Sequence, residues 1–298
     1  MERESLLAVL IMLLGGIALQ PFASWRWRQA VGGSPRDLER LSWLRLWCPV
    51  VPLLLVAAWL CGWALAEPDP VPDVSVCWLL ILACVPFALL FARAGARAIW
   101  ALMRAPFDCG VSTVGLVHPQ VIFSPFLAKQ LDEGMIRAAL AHERAHASNR
   151  DPLRIWVAQL VTDLQWPWPG AQRRLDAWLD ALELARDDEA RANGADGAEL
   201  AAAVLASVRY LSRIAPRERL LLNGTQPVHA RLIGDSRALR ERVSRLLAPR
   251  EERDGRVPRR SAIVRYAEAL LASSLLTMLM LGVALGERVL HPLLALAS

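Results

Sequence analysis

Cysteine is scarce in this 298-residue sequence, which has five in all and no C-x-x-C pair. Because cysteines at that spacing are the usual sign of a structural zinc site or a redox dithiol, neither class is indicated. The sequence also lacks a glycine-rich phosphate loop and a G-x-S-x-G elbow, which argues against P-loop nucleotide hydrolases and α/β-hydrolases. A thiol protease built on Cys109 and His118 or His229 has no supporting motif.

Aromatic residues are missing where a nucleic-acid surface would need them. The chain is basic, with a net charge of +5 and a pI near 9.3, and residues 237–247 form a predicted helix rich in arginine. Acidic residues alternate with those arginines, and no aromatic side chains interleave to stack on bases. No direct binding of nucleic acid is therefore predicted. Attraction to a lipid bilayer and membrane topology explain the positive charge better.

Charged residues are absent from four long apolar stretches, at about 5–22, 46–66, 74–92 and 269–286. An apolar helix of roughly 20 residues crosses the roughly 30 Å hydrocarbon core of a bilayer. The sequence therefore predicts four transmembrane helices. A cleaved signal peptide is the alternative for the first stretch, but the first four residues have no positive excess and no small-x-small cleavage site follows.

Basic residues are missing from the second predicted connection, 67–73, whereas the first contains Arg26, Arg28, Arg36, Arg40 and Arg45. Arginine-rich connections stay on the cytoplasmic side of a membrane. The first loop and the large segment between the third and fourth spans are therefore predicted to be cytoplasmic. The predicted location is a bacterial-type inner membrane, crossed several times, with both termini outside. Tryptophans cluster near the predicted inner boundary, as interfacial ones do: Trp25, Trp27, Trp43 and Trp47.

The spans divide the chain into three predicted regions. Residues 1–96 form a membrane region with three transmembrane helices, 97–262 a cytoplasmic domain, and 263–298 the fourth helix with a short outer tail. The predicted fold class is a mainly α integral membrane protein whose cytoplasmic domain is mostly helical with a small β-hairpin. Alternating apolar residues between Val111 and Phe123 indicate the hairpin. It could hold a substrate backbone by strand addition or be purely structural, and the sequence leaves both open.

A second open question concerns the apolar run 155–164, which is too short to span a bilayer. It is followed by two tryptophans and two prolines in alternation. Tryptophan-rich amphipathic segments settle at the headgroup level, so this helix is predicted either to rest against the membrane or to be buried in the protein core.

The sequence His142-Glu143-Arg144-Ala145-His146 is an H-E-x-x-H motif within an apolar run that is typical of a helix. Residues four apart share one face of a helix, so His142 and His146 can bind the same Zn²⁺ ion. Glu143 then lies beside the metal, where it can act as general base toward a water molecule that attacks a peptide carbonyl.

Zinc peptidases usually keep three protein ligands and one open position, so a third ligand is expected downstream. Glu183 and Asp187 are again four residues apart on one predicted helix face. We expect Glu183 to complete the metal ligands and Asp187 to accept the free imidazole N–H of a ligand histidine. By itself this acidic cluster could be a solvated helix face, but the upstream motif makes that interpretation the weaker one.

The H-E-x-x-H motif followed downstream by E-L-A-x-D-D resembles the membrane metallopeptidases of the beta-lactam and methicillin-resistance antirepressor family, which are gluzincins. The similarity includes residues 116–125 and 149–152 and covers roughly 75–285. It implies a membrane-bound zinc endopeptidase in signal transduction, with a cytoplasmic regulatory protein as substrate. That substrate would be a transcriptional repressor or the chain itself. Only residues 287–298 follow the last predicted span, so the extracellular penicillin-binding sensor of that family is expected to be lacking. A signal would then enter through the spans, the short loops or a separate sensor partner.

The chain departs from that family at two places. Arg186 stands where a small residue or cysteine is usual, and Leu200-Ala201 stands where a Tyr-Ala pair is common. We expect Arg186 to point partly away from the metal and to pair with a neighbouring carboxylate. Two alternative functions remain: a membrane transducer that has lost catalysis, and a housekeeping membrane gluzincin that degrades prenylated or misfolded proteins.

Overall fold

The computed structural model describes residues 19–20, 23, 34–66, 78–103, 111–166, 168–213, 236–249, 270 and 273–284. Its helices are α1 (Pro35–Trp47), α2 (Val51–Ala66), α3 (Trp78–Met103), α4 (Pro125–Ala128), α5 (Glu133–Ser148), α6 (Asp151–Asp163), α7 (Pro169–Ala192), α8 (Gly197–Arg213) and α9 (Ser236–Leu247), with a further helical stretch over 273–284. A 3₁₀ turn, Cys48–Val50, joins α1 to α2. The described chain is mostly helical.

The predicted β-hairpin is found as an antiparallel pair of strands, β1 (Val111–Val114) and β2 (Gln120–Phe123). In its register Val111 lies opposite Phe123 and Val114 lies opposite Gln120. Gly115 starts the turn with a φ of 97°, and an added Cβ would lie 2.6 Å from the carbonyl oxygen of His118. Glycine is the residue that tolerates both conditions.

The prediction of an integral membrane fold is contradicted, and with it the multi-pass inner-membrane location. Among the described residues, none of the helices combines the length and the apolar character needed to cross a membrane. Helix α2 has 16 residues. Helix α3 begins at Trp78 and reaches Arg93 after about four turns, or roughly 22 Å, which is short of a roughly 30 Å hydrocarbon core. The predicted spans 5–22 and 269–286 lie largely or partly outside the described residues.

The predicted second span begins inside a protein core. Leu46, Val50 and Leu53 are buried against α6 and α7, with Trp178 and Leu182 among their neighbours. The complete cluster consists of Leu46, Val50, Leu53, Ala158, Val161, Leu175, Trp178, Leu179 and Leu182. An apolar run that packs on neighbouring helices has the same hydropathy as one that faces lipid, which explains the wrong prediction.

The tryptophans predicted at a membrane boundary also pack on this core where the structure describes them. The ring centroid of Trp43 lies 5.0 Å from that of Trp178 and 5.7 Å from that of Trp47. Trp25 and Trp27 lie outside the described residues. Ala158 and Val161 belong to the same core, so the apolar run 155–164 is a core helix in the described structure.

The turn between α5 and α6 brings two parts of the candidate site together. Helix α5 starts at the N-cap Asp132, whose carboxylate accepts a hydrogen bond from the Met135 N–H at 2.8 Å, and it ends at Asn149. Arg150 has a left-handed backbone, with φ 52° and ψ 40°, and α6 begins at the next residue. Because this reversal is so short, Asp151 returns to lie against the last turn of α5, beside His146.

Candidate metal centre

The structure brings the three predicted metal ligands together. The Nε2 atoms of His142 and His146 lie 3.0 Å apart. Oε2 of Glu183 lies 3.5 Å from Nε2 of His142, and its Oε1 lies 3.3 Å from Nε2 of His146. All three side chains are buried, and one ligand atom from each lies within 4.8 Å of the others. These three residues could hold one metal ion between α5 and α7.

A carboxylate lies against the other nitrogen of each imidazole. Nδ1 of His142 is 2.9 Å from Oδ1 of Asp187. Nδ1 of His146 is 2.8 Å from Oδ2 of Asp151, a partner that the sequence did not identify. Carboxylates in these positions hold the proton on Nδ1 and leave each Nε2 lone pair for a metal.

The carboxylates control the protonation of both histidines. Burial by itself would lower the pKa of His146, but Glu183 and Asp151 outweigh burial and raise it to about 10. Asp187 and Glu183 likewise outweigh burial at His142 and raise its pKa. These carboxylates favour a positive charge between α5 and α7, and a divalent cation bound there would supply it.

The charges and donor atoms of the site fit zinc. Four buried carboxylates, Glu143, Asp151, Glu183 and Asp187, meet two buried guanidiniums, Arg186 and Arg242. Among these buried groups the carboxylates outnumber the guanidiniums by two, and the partly exposed Arg154 pairs with Asp151 at 3.1 Å. Two imidazole nitrogens and one carboxylate, with a fourth position left over, are a donor set that suits Zn²⁺.

Glu143 is separate from the ligand cluster and is held by the hairpin. Its side chain is buried, and the hydroxyl of Thr113 lies 2.8 Å from its Oε2 and 2.9 Å from its backbone oxygen. Thr113 is on β1, and the sequence did not identify it as a site residue. No spacing relates a hydroxyl in a strand to a glutamate on a later helix, so only the packing of β1 against α5 reveals the contact.

Arg186 is the first of the two residues at which the sequence departs from the antirepressor family pattern. It is bonded to a buried carboxylate. Its Nη2 donates to Oδ1 of Asp151 at 2.8 Å, and its Nε donates to the other oxygen of the same carboxylate. Burial would raise the pKa of Asp151, but Arg186 and His146 outweigh it and lower the pKa to about 2. Arg186 thus keeps Asp151 ionised and oriented toward His146, and it pairs with a carboxylate as expected.

Arg242 of α9 is the main site residue that the sequence analysis missed. Its Nε and Nη2 donate to the two oxygens of Asp187 at 2.7 and 2.8 Å. Its Nη1 lies 2.8 Å from Oε2 of Glu183. The sequence analysis attributed the positive charge of α9 to lipid attraction and membrane topology, but Arg242 is on the same face as the buried Leu246, four residues later. This spacing of four residues from an apolar residue was the sequence signal that Arg242 faces the protein interior.

A small, mainly apolar cleft of about 30 Å³ lies beside His142 and Glu143, between α5, α8 and β1. Its other lining residues are Val111, Ala139, Leu200, Ala203, Val204, Ser207, Val208 and Arg242. Leu200, the second departure from the family pattern, contributes an apolar wall here. No protein-family model, curated protein or solved structure matches this chain.

Proposed function

We propose that this chain is a zinc-dependent endopeptidase in which His142, His146 and Glu183 hold the metal and Glu143 is the general base. The observation that carries the proposal is a buried His-His-Glu cluster next to a further glutamate that is not part of the cluster. A structural zinc site is normally closed by four protein ligands, whereas three ligands beside a cleft leave a position for chemistry.

Each side chain of the proposed site has a separate chemical role. Zn²⁺ would polarise the scissile carbonyl and acidify the attacking water. Glu143 accepts the proton of that water at its carboxylate and then delivers it to the leaving amine. Thr113 donates a hydrogen bond to Oε2 of Glu143 and so fixes the direction in which the carboxylate points. Asp151 and Asp187 hold the two imidazoles in the orientation that metal binding needs.

The hairpin favours an extended peptide as substrate. Within the described residues, β1 pairs only with β2, so its other edge can bond to a peptide backbone by strand addition. The cleft beside Glu143 is lined mainly by small and aliphatic side chains, and its volume is enough for about one water molecule. The resemblance to the antirepressor peptidases favours a regulatory protein, such as a transcriptional repressor or the chain itself, as this substrate.

Removal of the metal is the direct test of the proposal. The purified chain should contain about one zinc per molecule and hydrolyse an unstructured protein substrate, and 1,10-phenanthroline should lower the rate by at least about 100-fold. Added Zn²⁺ should restore hydrolysis, while Mg²⁺ and Ca²⁺ should not, because imidazole ligands favour zinc over these hard cations. Hydrolysis that persists at full rate in the chelated protein would exclude a zinc peptidase.

Thr113→Val should slow hydrolysis about 10-fold with little change in zinc content. Valine keeps the shape and β-propensity of threonine but removes the hydroxyl, and a hydrogen bond to a charged group contributes about 1.5–3 kcal/mol. Turnover and metal content should be measured on the same preparation. Thr113→Ser retains the hydroxyl and is the matched control, so it should recover most of the rate. Equal rates in the valine and wild-type proteins would remove Thr113 from the site.

A further inference from the structure

A second cavity, of about 490 Å³, lies between α1 and the beginning of α7. Its polar lining residues are Ser42 and Arg45 of α1 and Arg173 and Arg174 of α7, and Trp168 forms a wall. The volume is within the range of small-molecule sites. Gly170, at the start of α7, is about 20 Å along the helix from Glu183, so this cavity is separate from the metal centre.

The cavity concentrates positive charge. Three guanidiniums line it, those of Arg45, Arg173 and Arg174. Arg174 is about 6 % exposed, and its Nη2 donates to the side-chain oxygens of Gln20 and Gln165, both at 2.6 Å. These amides fix the direction of the guanidinium but carry no charge. Burial and the neighbouring Arg45 lower the pKa of Arg174 to about 10, so a positive charge here is electrostatically unfavourable.

The N-terminus of α7 also favours an anion in this cavity. The helix has 24 residues, and its N-cap, Trp168, makes no capping hydrogen bond from its side chain. Pro169 has no N–H, and the N–H of Ala171 donates to the Trp168 carbonyl at 3.1 Å, so the N–H of Gly170 and the positive end of the dipole favour an anion at this end. A Cβ added at Gly170 would lie 3.1 Å from the Trp168 ring and 3.3 Å from Nη1 of Arg174, so backbone, indole and guanidinium are close together.

We propose that this cavity binds a small organic phosphomonoester. The phosphate would be held by Arg45, Arg173 and Arg174 together with the N-terminus of α7, because guanidinium groups match phosphate oxygens in pairs. Most of the remaining wall is apolar, and the indole of Trp168 is 42 % exposed, so it offers a face to the organic part. A phosphate ion alone would leave that apolar wall without a partner. The proposal does not depend on the metal centre being catalytic.

Calorimetric titration of the purified full chain tests this site. Phenyl phosphate should bind saturably, inorganic phosphate should bind at least about 10-fold more weakly, and phenol, which has no charge, should not bind measurably. Dihexanoyl phosphatidate has the same phosphomonoester on acyl chains. If the phosphatidate competes with phenyl phosphate and binds more tightly, the ligand is a lipid headgroup. If phenyl phosphate binds more tightly, the ligand is a water-soluble aromatic ester.

Arg173→Gln should weaken phenyl phosphate binding about 10-fold or more. The side chain is exposed at the cavity, so the fold should survive its replacement, which thermal unfolding can verify. Arg137→Gln removes an arginine of α5 whose side chain is 70 % exposed and which does not line the cavity, so it should leave the dissociation constant unchanged. Trp168→Ala should reduce the difference in affinity between phenyl phosphate and inorganic phosphate.

Two outcomes would overturn the proposal. One is the lack of saturable binding of either phosphate ester at millimolar concentration. The other is an equal loss of affinity in the Arg173 and Arg137 variants, because this would show that general positive charge, and not the cavity, attracts the ligand.

Discussion

Glu143→Gln should lower peptide hydrolysis by about 10²–10⁴-fold and leave the zinc content near one per chain. Glutamine has the size of glutamate, and its amide oxygen can still accept the hydrogen bond from Thr113, but the amide cannot take a proton from water. The ligand cluster consists of His142, His146 and Glu183, so the metal should stay in place. Zinc content by elemental analysis and hydrolysis of an unstructured protein should be measured on one preparation.

The same substitution elsewhere on α5 is the control. The side chain of Glu133 is 94 % exposed at the start of the helix, so Glu133→Gln should leave both zinc and hydrolysis unchanged. Wild-type hydrolysis by the Glu143 variant would exclude this residue as the base. Loss of zinc together with hydrolysis would instead mean that Glu143 is itself a metal ligand.

Part of the candidate site could be predicted because helical spacing brings its members together. His142 and His146 are four residues apart, and so are Glu183 and Asp187, so each pair lies on one face of its helix. The sequence therefore identified the faces that meet between α5 and α7. The residues that hold these side chains could not be predicted in the same way. Thr113 and Arg242 come from other elements, and only tertiary packing places them beside Glu143 and Asp187.

Asp151 is another site residue that helical spacing could not identify, although it is close to His146 in the sequence. It follows His146 by five residues, a separation that does not share a face on a continuous helix. The left-handed backbone of Arg150 ends one helix and starts the next, which turns Asp151 back toward the histidine. A single unusual backbone conformation therefore creates a contact that periodicity would have excluded.

The membrane prediction was wrong in the described residues because hydropathy does not identify the neighbour of an apolar side chain. Leu46, Val50 and Leu53 have the spacing of a single helical stripe, and they pack on Trp178 and its neighbours. Two arginines at the end of the predicted third span also have a protein partner. Nε of Arg97 lies 3.1 Å from Oδ2 of Asp163, and Arg93 lies near the same carboxylate. Such pairs bind α3 to α6, and arginine counts in the sequence do not reveal them.

Glu183→Ala should lower zinc affinity by at least about 100-fold, with a matching loss of hydrolysis. The substitution removes one of three proposed ligands, and it also removes the carboxylate beside Nη1 of Arg242, which leaves a cation next to the metal position. Asp187→Asn should have a smaller effect, a 10–100-fold loss of affinity, because a residue that orients a ligand imidazole contributes about that much. Asparagine keeps an acceptor for Arg242, so the fold should be retained.

Asp188→Ala is the matched control for both variants. This carboxylate is next to Asp187, but its side chain is 38 % exposed and pairs with Arg245 at 3.1 Å, on the side of α7 away from the histidines. Exposed pairs of this kind contribute little to stability, so zinc affinity and hydrolysis should both stay at wild-type values. Competition with a zinc chelator of known affinity would rank the three variants. If Asp188→Ala lost zinc while Glu183→Ala kept it, the metal would bind on another face of α7, and the proposed ligand set would be wrong.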